Sequence, residues 1–333
     1  MNNSPEKLLF FDDIVFFNCG EESLRFKRGI FTKQQYFKNG KKQNVKISEK
    51  EKNLERELVK LRRESSFRSA SEEILESPEE IIKKCSLSIS DEEGGSSVYL
   101  QNYHSGQPKQ FFTNRVCITP QSADIQLKID GSLYLIPKNA RFILGDVKKT
   151  HFDNTEKFNI VYLDPPWKNK SVSRGKKYST NSMKLLESLR LECITASEGV
   201  IAIWITNNAR VREYVDEFME KRGFSHRATW EWLKIAANGE PVVPFANCHK
   251  MPSEKLLFFS RTCVRELCNT TFATIPSRVH SQKPAIHALL EQVAPHTSNY
   301  IEIFARRVVS GWSAIGNEVL YLNHRDFFEP QTS

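Results

Sequence analysis

From Ile125 onward the chain alternates short apolar runs with longer segments whose apolar residues recur at helical spacing. The runs predict strands over Arg141–Asp146, Asn159–Leu163, Gly199–Thr206, Thr229–Lys234, Lys255–Ser260, Thr271–Ile275, Tyr300–Ala305 and Glu318–Leu322. The periodic segments predict helices over Asn181–Ala196, Asn208–Arg222 and Gln282–Val293. Strands this apolar are buried on both faces, and strands alternating with helices build a mostly parallel sheet covered by helices on both sides.

The first part of the chain follows a different pattern. Up to about residue 40 aromatics alternate with charges (Phe10, Phe11, Phe16, Phe17, Phe26, Phe31, Tyr36, Phe37), which predicts a small β-rich element docked on the main domain. Asn44 to about Glu64 reads as a helix. Ser48 and Glu51 form a capping box, and Ile47, Leu54, Leu58 and Leu61 make a narrow apolar stripe. The basic clusters Lys38–Lys42 and Arg62-Arg63 leave RNA contact, a nuclear signal and plain solvation open. Residues 65–98 are rich in Ser and Glu and predict a flexible linker. The expected organisation is an N-terminal extension over 1–64, the linker over 65–98 and one catalytic domain over 99–330.

The candidate chemistry sits at the end of one strand. Asn159–Leu163 runs into Asp164-Pro165-Pro166-Trp167. In open α/β sheets ligands bind beyond the carboxyl ends of strands. Both prolines have a fixed φ and no N–H. The turn is expected to be stiff, to leave its carbonyls free of donors from within the turn, and to offer only acceptors, the Asp164 carboxylate and the Pro165 carbonyl, beside the Trp167 face. A flat ring carrying two N–H donors satisfies such a site, and the exocyclic amine of adenine is one. Its lone pair is delocalised into the ring; accepting both hydrogens localises it for attack on an adjacent methyl sulfonium. That is catalysis by positioning and preorganised dipoles. The bland alternative is a strand, a proline turn and a packed Trp.

Composition narrows the partners. The chain has 333 residues, a net charge of +8 and a pI of about 9.0, a modest pointer to a polyanion. No apolar run reaches the ~18 residues of a membrane span. Met1 to Asp13 carries Glu6, Asp12 and Asp13 and reads neither as a secretory signal nor as a mitochondrial presequence. The seven cysteines form no CxxC pair. A zinc site from Cys248, Cys263 or Cys268 with His249, His280 or His287 is disfavoured, and free thiols without a metal are expected. There is no G-x-G-x-x-G, the main signature of a nicotinamide-binding domain.

Taken together, the strand with Asp164-Pro165-Pro166-Trp167 and the late block Tyr300–Arg306, Gly311-Trp312 and Gly316-Asn317-Glu318 resemble the DPPW-type adenine-N6 methyltransferases. Asn169-Lys170-Ser171-Val172 with Tyr178-Ser179, Trp230-x-Trp232-x-Lys234, Cys248-His249-Lys250 with Glu254, and His280-Ser281-x-Lys283-Pro284 narrow the resemblance to the branch called methyltransferase-like protein 4. It covers about residues 140–328. It implies a permuted class I S-adenosylmethionine-dependent methyltransferase fold, in which the amine-handling strand precedes Tyr300–Ala305, the strand that opens the cofactor site. Roles follow by position. Asp146 and Val147 would hold the adenine end of S-adenosylmethionine, Lys283 its carboxylate, and Arg306, Asn317 and Glu318 its ribose; Asp164 would lie between cofactor and amine. Apart from the resemblance, the segment after Trp167, with Asn169, Lys170, Arg174, Lys176, Lys177 and Tyr178, reads from its charge and position as a mobile loop that closes over the base stacked on Trp167 and grips flanking phosphates of the nucleic acid. An ordinary solvated loop is the alternative. One departure is Ile315, where relatives carry an aromatic residue before Gly-Asn-Glu.

The expected activity is methylation of adenine N6 in nucleic acid. The resemblance favours RNA, notably a 2′-O-methyladenosine of a spliceosomal small nuclear RNA, with DNA adenine as the rival. A non-catalytic RNA-binding subunit that keeps the fold is the alternative, and the intact Asp164 and Lys283 weigh against it. A small-molecule or protein N-methyltransferase is disfavoured by the basic run at Arg174, Lys176 and Lys177. The nucleus is the expected compartment, with mitochondrion or cytoplasm as alternatives.

Overall fold

The computed structural model describes residues 98–100, 108–149, 155–167, 180–236, 239–245, 251–277, 279–294 and 299–330, the backbone of three N-terminal strands, and residues 52, 55 and 56. The expected 44–64 helix and 65–98 linker fall almost wholly outside them. In chain order the elements begin with β1 (Leu8–Phe10), β2 (Phe16–Cys19), β3 (Glu22–Phe26), β4 (Val98–Tyr99), β5 (Val116–Ile118) and the hairpin β6 (Ile125–Ile129) and β7 (Ser132–Ile136). Then come β8 (Arg141–Leu144), β9 (Phe158–Leu163), α1 (Thr180–Ser188), α2 (Leu191–Ile194), β10 (Thr195–Ile205), α3 (Ala209–Glu220) and β11 (Ser225–Lys234). The chain closes with β12 (Ser253–Ser260), β13 (Thr270–Thr274), α4 (His287–Glu291), β14 (Tyr300–Ile303), β15 (Trp312–Gly316) and β16 (Phe328–Pro330).

One eleven-stranded sheet dominates, in the order β1-β13-β11-β12-β10-β9-β14-β15-β8-β5-β4. Its centre, β10-β9-β14-β15-β8, is parallel throughout, and β12 lies antiparallel between β10 and β11. Alternation divides the side chains of the central strands between the two faces of the sheet. Val161, Leu163, Ile201, Ile203 and Ile301 face Leu186 of α1, Leu191 of α2 and Val215 and Phe218 of α3. Ile160, Tyr162, Val200, Trp204 and Trp312 face Leu290 of α4. The expected mostly parallel sheet with helices on both faces is therefore what forms. The N-terminal strands also add to it: β1 extends the sheet beside β13, and β2 and β3 make a second small sheet with β16.

The chain leaves β9 outward through β10, and returns at β14 before moving outward the other way through β15. β9 and β14 are neighbours, with Leu163 paired to Ile303. Strand order reverses between them, and this crevice beyond their carboxyl ends is where a doubly wound sheet binds ligands. β9 precedes β14 in the chain yet lies beside it in the sheet, the strand order that the resemblance implies.

Some element boundaries differ from the sequence expectation. The single helix over Asn181–Ala196 is two, α1 and α2, because Arg190 adopts a left-handed backbone (φ 46°) between them, and the strand starts already at Thr195. The helix over Gln282–Val293 begins only at His287: Pro284 disfavours helical geometry at Lys283, and Ser281 is left-handed (φ 58°). Glu318–Leu322 is a turn and a short 3-10 helix, not a strand; its apolar side chains pack into a core through turns, and the strand is Trp312–Gly316. Val98, at the end of the expected linker, is buried in β4.

Candidate active site

The central strands β8, β9, β14 and β15 end at the same edge of the sheet, and each delivers expected site residues there. Asp146 and Val147 follow β8, Asp164 to Trp167 follow β9, Arg306 follows β14, and Asn317 and Glu318 follow β15. Gly316 is required at the end of β15: a Cβ there would lie 2.5 Å from the carbonyl oxygen of Ala305. Phe304, just beyond β14, holds a left-handed backbone (φ 66°). For a non-glycine residue that conformation costs about 1–3 kcal/mol, and such strain concentrates at functional sites. Phe304, Val147 and Trp167 are partly buried and pack on the same core, which gives the crevice an apolar shelf.

Trp167 is fixed at two points. Its indole N–H donates to the Trp204 carbonyl (2.7 Å), and Trp204 in turn donates its indole N–H to the Tyr162 hydroxyl (2.6 Å). The backbone N–H of Trp167 donates to the Pro165 carbonyl (2.7 Å). This corrects the expectation that no donor from within the turn reaches that oxygen: the two prolines lack N–H groups, but the residue after them does not. A carbonyl has two lone pairs, so Pro165 keeps acceptor capacity.

The acidic group does not stand alone. Lys283, on the extended stretch that Pro284 enforces before α4, brings its ammonium 3.3 Å from Asp164 and 2.9 Å from Glu254. Glu254 is the second residue of β12, and since β12 is antiparallel its start lies level with the ends of its neighbours. Lys234, the last residue of β11, pairs with the other oxygen of Glu254. Pairing Trp232 with Glu254 sets Lys234 on the diagonal from Glu254 across the hairpin. The result is a row of alternating charges, Lys234, Glu254, Lys283, Asp164. Lys283 also lies 5.5 Å from the Trp204 ring centre and Lys234 lies 4.6 Å from that of Trp232.

The cations around them separate the two buried carboxylates. The Asp164 side chain is 19 % exposed. Loss of water pushes its pKa up to about 6, although Lys283 pulls the other way. Burial acts upward on Glu254 too, but there Lys283 and Lys234 together prevail and hold it down, at about 2. Lys283 loses water as well, which disfavours its charge, yet the two carboxylates more than offset this and keep its pKa above the ordinary value. At neutral pH Glu254 is therefore firmly ionised, whereas Asp164 lies within reach of its own titration. Carboxylates whose environments separate them in this way divide roles in acid–base chemistry.

Of the remaining expected residues, Asp146 accepts the backbone N–H of Lys148 (3.0 Å), closing a turn at the rim. Arg306 pairs with Glu318 (2.9 Å), donates to the His280 carbonyl (2.6 Å) and stacks over Tyr321 (4.6 Å). Asn317 and Glu318 are exposed. Asn169, Lys170, Arg174, Lys176, Lys177 and Tyr178 lie outside the described residues, as do Cys248, His249 and Lys250. No His, Cys, Asp and Glu cluster among the described residues has metal-binding geometry. Cys117, Cys193, Cys263 and Cys268 are free thiols. No helix among the described residues is long and apolar enough to cross a membrane. Sequence reasoning gave no role to Glu254, Lys234 or Trp204. Its available signal was a lysine ending one strand and a glutamate near the start of the next, which a hairpin brings together.

Residues 158–318 match the family model MT-A70. The N6-methyladenosine RNA methyltransferase MTA1 of Pyricularia oryzae is 30 % identical over 210 residues, covering 58 % of this chain and 56 % of that protein. The N(6)-adenine-specific methyltransferase METTL4 of Homo sapiens is 29 % identical over 214 residues, covering 60 % of this chain and 45 % of that protein. A DNA N6-methyl methyltransferase of Caenorhabditis elegans is 33 % identical over 207 residues, covering 60 % and 56 %. The chain spans about half the length of the curated relatives it matches.

Proposed function

We propose that this chain, which belongs to the MT-A70 family through residues 158–318, methylates N6 of adenine in nucleic acid with S-adenosylmethionine as methyl donor. The observation that carries this reading is the dehydrated Asp164 carboxylate at the switch point of the sheet, flanked by the Pro165 carbonyl and the Trp167 ring. Two acceptors beside an aromatic face suit a planar ring bearing an N–H₂ group, and base stacking is worth ~1–3 kcal/mol.

The residues present suit the cofactor. Val147, Phe304 and Trp167 offer an apolar shelf for its adenine, and Asp146 an acceptor at the rim. Arg306, Asn317 and Glu318 offer donors and acceptors suited to ribose hydroxyls. Lys283 uses two of its three ammonium hydrogens on Glu254 and Asp164, which leaves one for a carboxylate. When bound, the cofactor supplies an electrophilic methyl group on a sulfonium.

The chain's own part is to hold and to deprotonate the amine. Asp164 and Pro165 accept the two N6 hydrogens and draw the lone pair out of the ring. The nitrogen gains a methyl group and sheds one proton, for which the Asp164 carboxylate is the nearest base. Trp167, held by the Trp204 carbonyl, fixes the plane of the base. Glu254, ionised over a wide pH range, keeps Lys283 charged beside the reacting groups.

RNA is our favoured substrate, with a 2′-O-methyladenosine of a spliceosomal small nuclear RNA as the target and DNA adenine as the rival. The net charge of +8 suits either nucleic acid, and the resemblance is what favours RNA. The nucleus is the matching compartment. The test is methylation of RNA, 2′-O-methyl RNA and DNA oligonucleotides of one sequence, with products identified by mass spectrometry. The reading expects N6-methyladenine, with 2′-O-methyl RNA turned over fastest. Equal or better turnover of DNA would overturn the RNA assignment, and no transfer to any adenine-bearing strand would overturn the activity.

A further inference from the structure

Lys234 lies at the far end of the row of charges, and Glu254 and Lys283 separate it from Asp164. Nothing in the proposed chemistry requires it to touch adenine or cofactor. Its geometry nevertheless constrains Lys283. The Lys283 ammonium divides itself unequally between two carboxylates, 2.9 Å from Glu254 and 3.3 Å from Asp164. How far it leans toward Glu254 depends on how well the Glu254 charge is met from its other side. Lys234 meets it there, held against the Trp232 face, whose indole N–H is tied to Thr274 (2.8 Å).

We propose that Lys234 is a positioning residue: by satisfying the outer oxygen of Glu254 it keeps the Lys283 ammonium shared with Asp164, and so keeps Asp164 an ionised acceptor. This deepens the reading of Asp164 as the group that holds the amine, and it rests on that reading. Removing Lys234 draws Lys283 wholly onto Glu254 and leaves Asp164 facing a less compensated negative charge in a site with little water. Both effects favour the protonated acid, which presents an O–H where an acceptor is needed. Among the described residues, the other charged and titratable groups near this row include Glu302 on β14, bonded to His287 of α4 (2.7 Å), Tyr162 on β9, Arg307 beyond β14, and Glu231 on β11, bonded to Ser253 (2.8 Å). The Glu302 charge adds to the push on Asp164 toward the protonated acid, and among the described residues the cation paired with the outer oxygen of Glu254 is Lys234.

The experiment compares the wild type with Lys234→Met, Lys234→Gln and Lys234→Arg by two readouts, the pH profile of kcat/KM and the titration of the Asp164 carboxyl followed by carbon-13 NMR, assigned with Asp164→Asn. The acid limb and the Asp164 titration should both move up by about half a pH unit or more in the Met and Gln variants. Activity should fall most below pH 7 and recover toward pH 9, and the Arg variant should restore both. A loss that is the same at every pH, or an Asp164 titration that stays in place in folded Met and Gln variants, would overturn the proposal. A shifted titration in a chain that methylates no adenine-bearing strand would uphold the electrostatic link and count against the proposed reaction instead.

Discussion

Asp164→Asn should remove methyl transfer and stabilise the fold at once. Asparagine has the size of the protonated acid and imitates it, with a side-chain oxygen toward Lys283 and an N–H₂ toward the amine site. That group cannot accept the N6 hydrogens, so the rate should fall by ~10²–10³ or more. The stability change follows from burial. The carboxyl titrates near 3.8 in the unfolded chain and at about 6 in the fold. Some two units at ~1.4 kcal/mol each mean that ionised Asp164 costs the fold about 3 kcal/mol. A group with a raised pKa favours folding below its unfolded value, and that contribution is lost as pH rises through the folded value. The variant should therefore match the wild type below about pH 4 and exceed it by up to about 3 kcal/mol above pH 7, roughly 6–12 °C in Tm for a domain of this size. Thermal unfolding of both proteins at pH 4 and pH 8 measures it. A variant less stable than the wild type at pH 8 would refute the reasoning, because Asp164 would then be a structural partner of Lys283 rather than a dehydrated group kept for chemistry.

Three further outcomes follow from the same geometry. Lys283→Met leaves Asp164 and Glu254 without the ammonium that lies within 3.3 Å of both; denaturant unfolding at pH 8 should show a loss of about 3–5 kcal/mol, recovered in part as the acids protonate at lower pH. Trp167→Phe keeps an aromatic face but loses the bond to the Trp204 carbonyl, worth about 1 kcal/mol, so steady-state kinetics should show a several-fold rise in KM for nucleic acid with little change in Tm; an unchanged KM with a large fall in Tm would make Trp167 a core residue. Gly316→Ala forces a Cβ against the Ala305 carbonyl at 2.5 Å and should cost about 1–3 kcal/mol by thermal unfolding, with weaker cofactor binding by calorimetry.

The sequence carried the central strands well because each is buried on both faces and reads as an apolar run. It also carried the position of Asp164, since the acid and prolines end such a run directly. It carried Trp312–Gly316 poorly: a strand of Trp, Ser, Ala, Ile and Gly has little apolar bulk, although neighbours bury it on both sides. The run over Glu318–Leu322 has that bulk and packs as turns, because burial and strand geometry are separate requirements. The break at Arg190 depends on a left-handed backbone that no periodicity reveals. In the site, the residues ending parallel strands were legible one strand at a time. Glu254 and Lys234 were not, because their meeting with Lys283 depends on an antiparallel strand whose start lies level with its neighbours' ends.

In the proposed reaction the carboxylate at the β9–β14 crevice directs methyl transfer to the exocyclic nitrogen of adenine. The most direct measurement uses cofactor with a trideuterated methyl group, an adenine-bearing oligonucleotide, and the wild-type chain beside Asp164→Asn, followed by nucleoside digestion and mass spectrometry. Label is expected on N6 of adenine with the wild type and not with the folded Asp164→Asn variant. Label on a ring nitrogen or another base, or equal N6 labelling by both proteins, would contradict it.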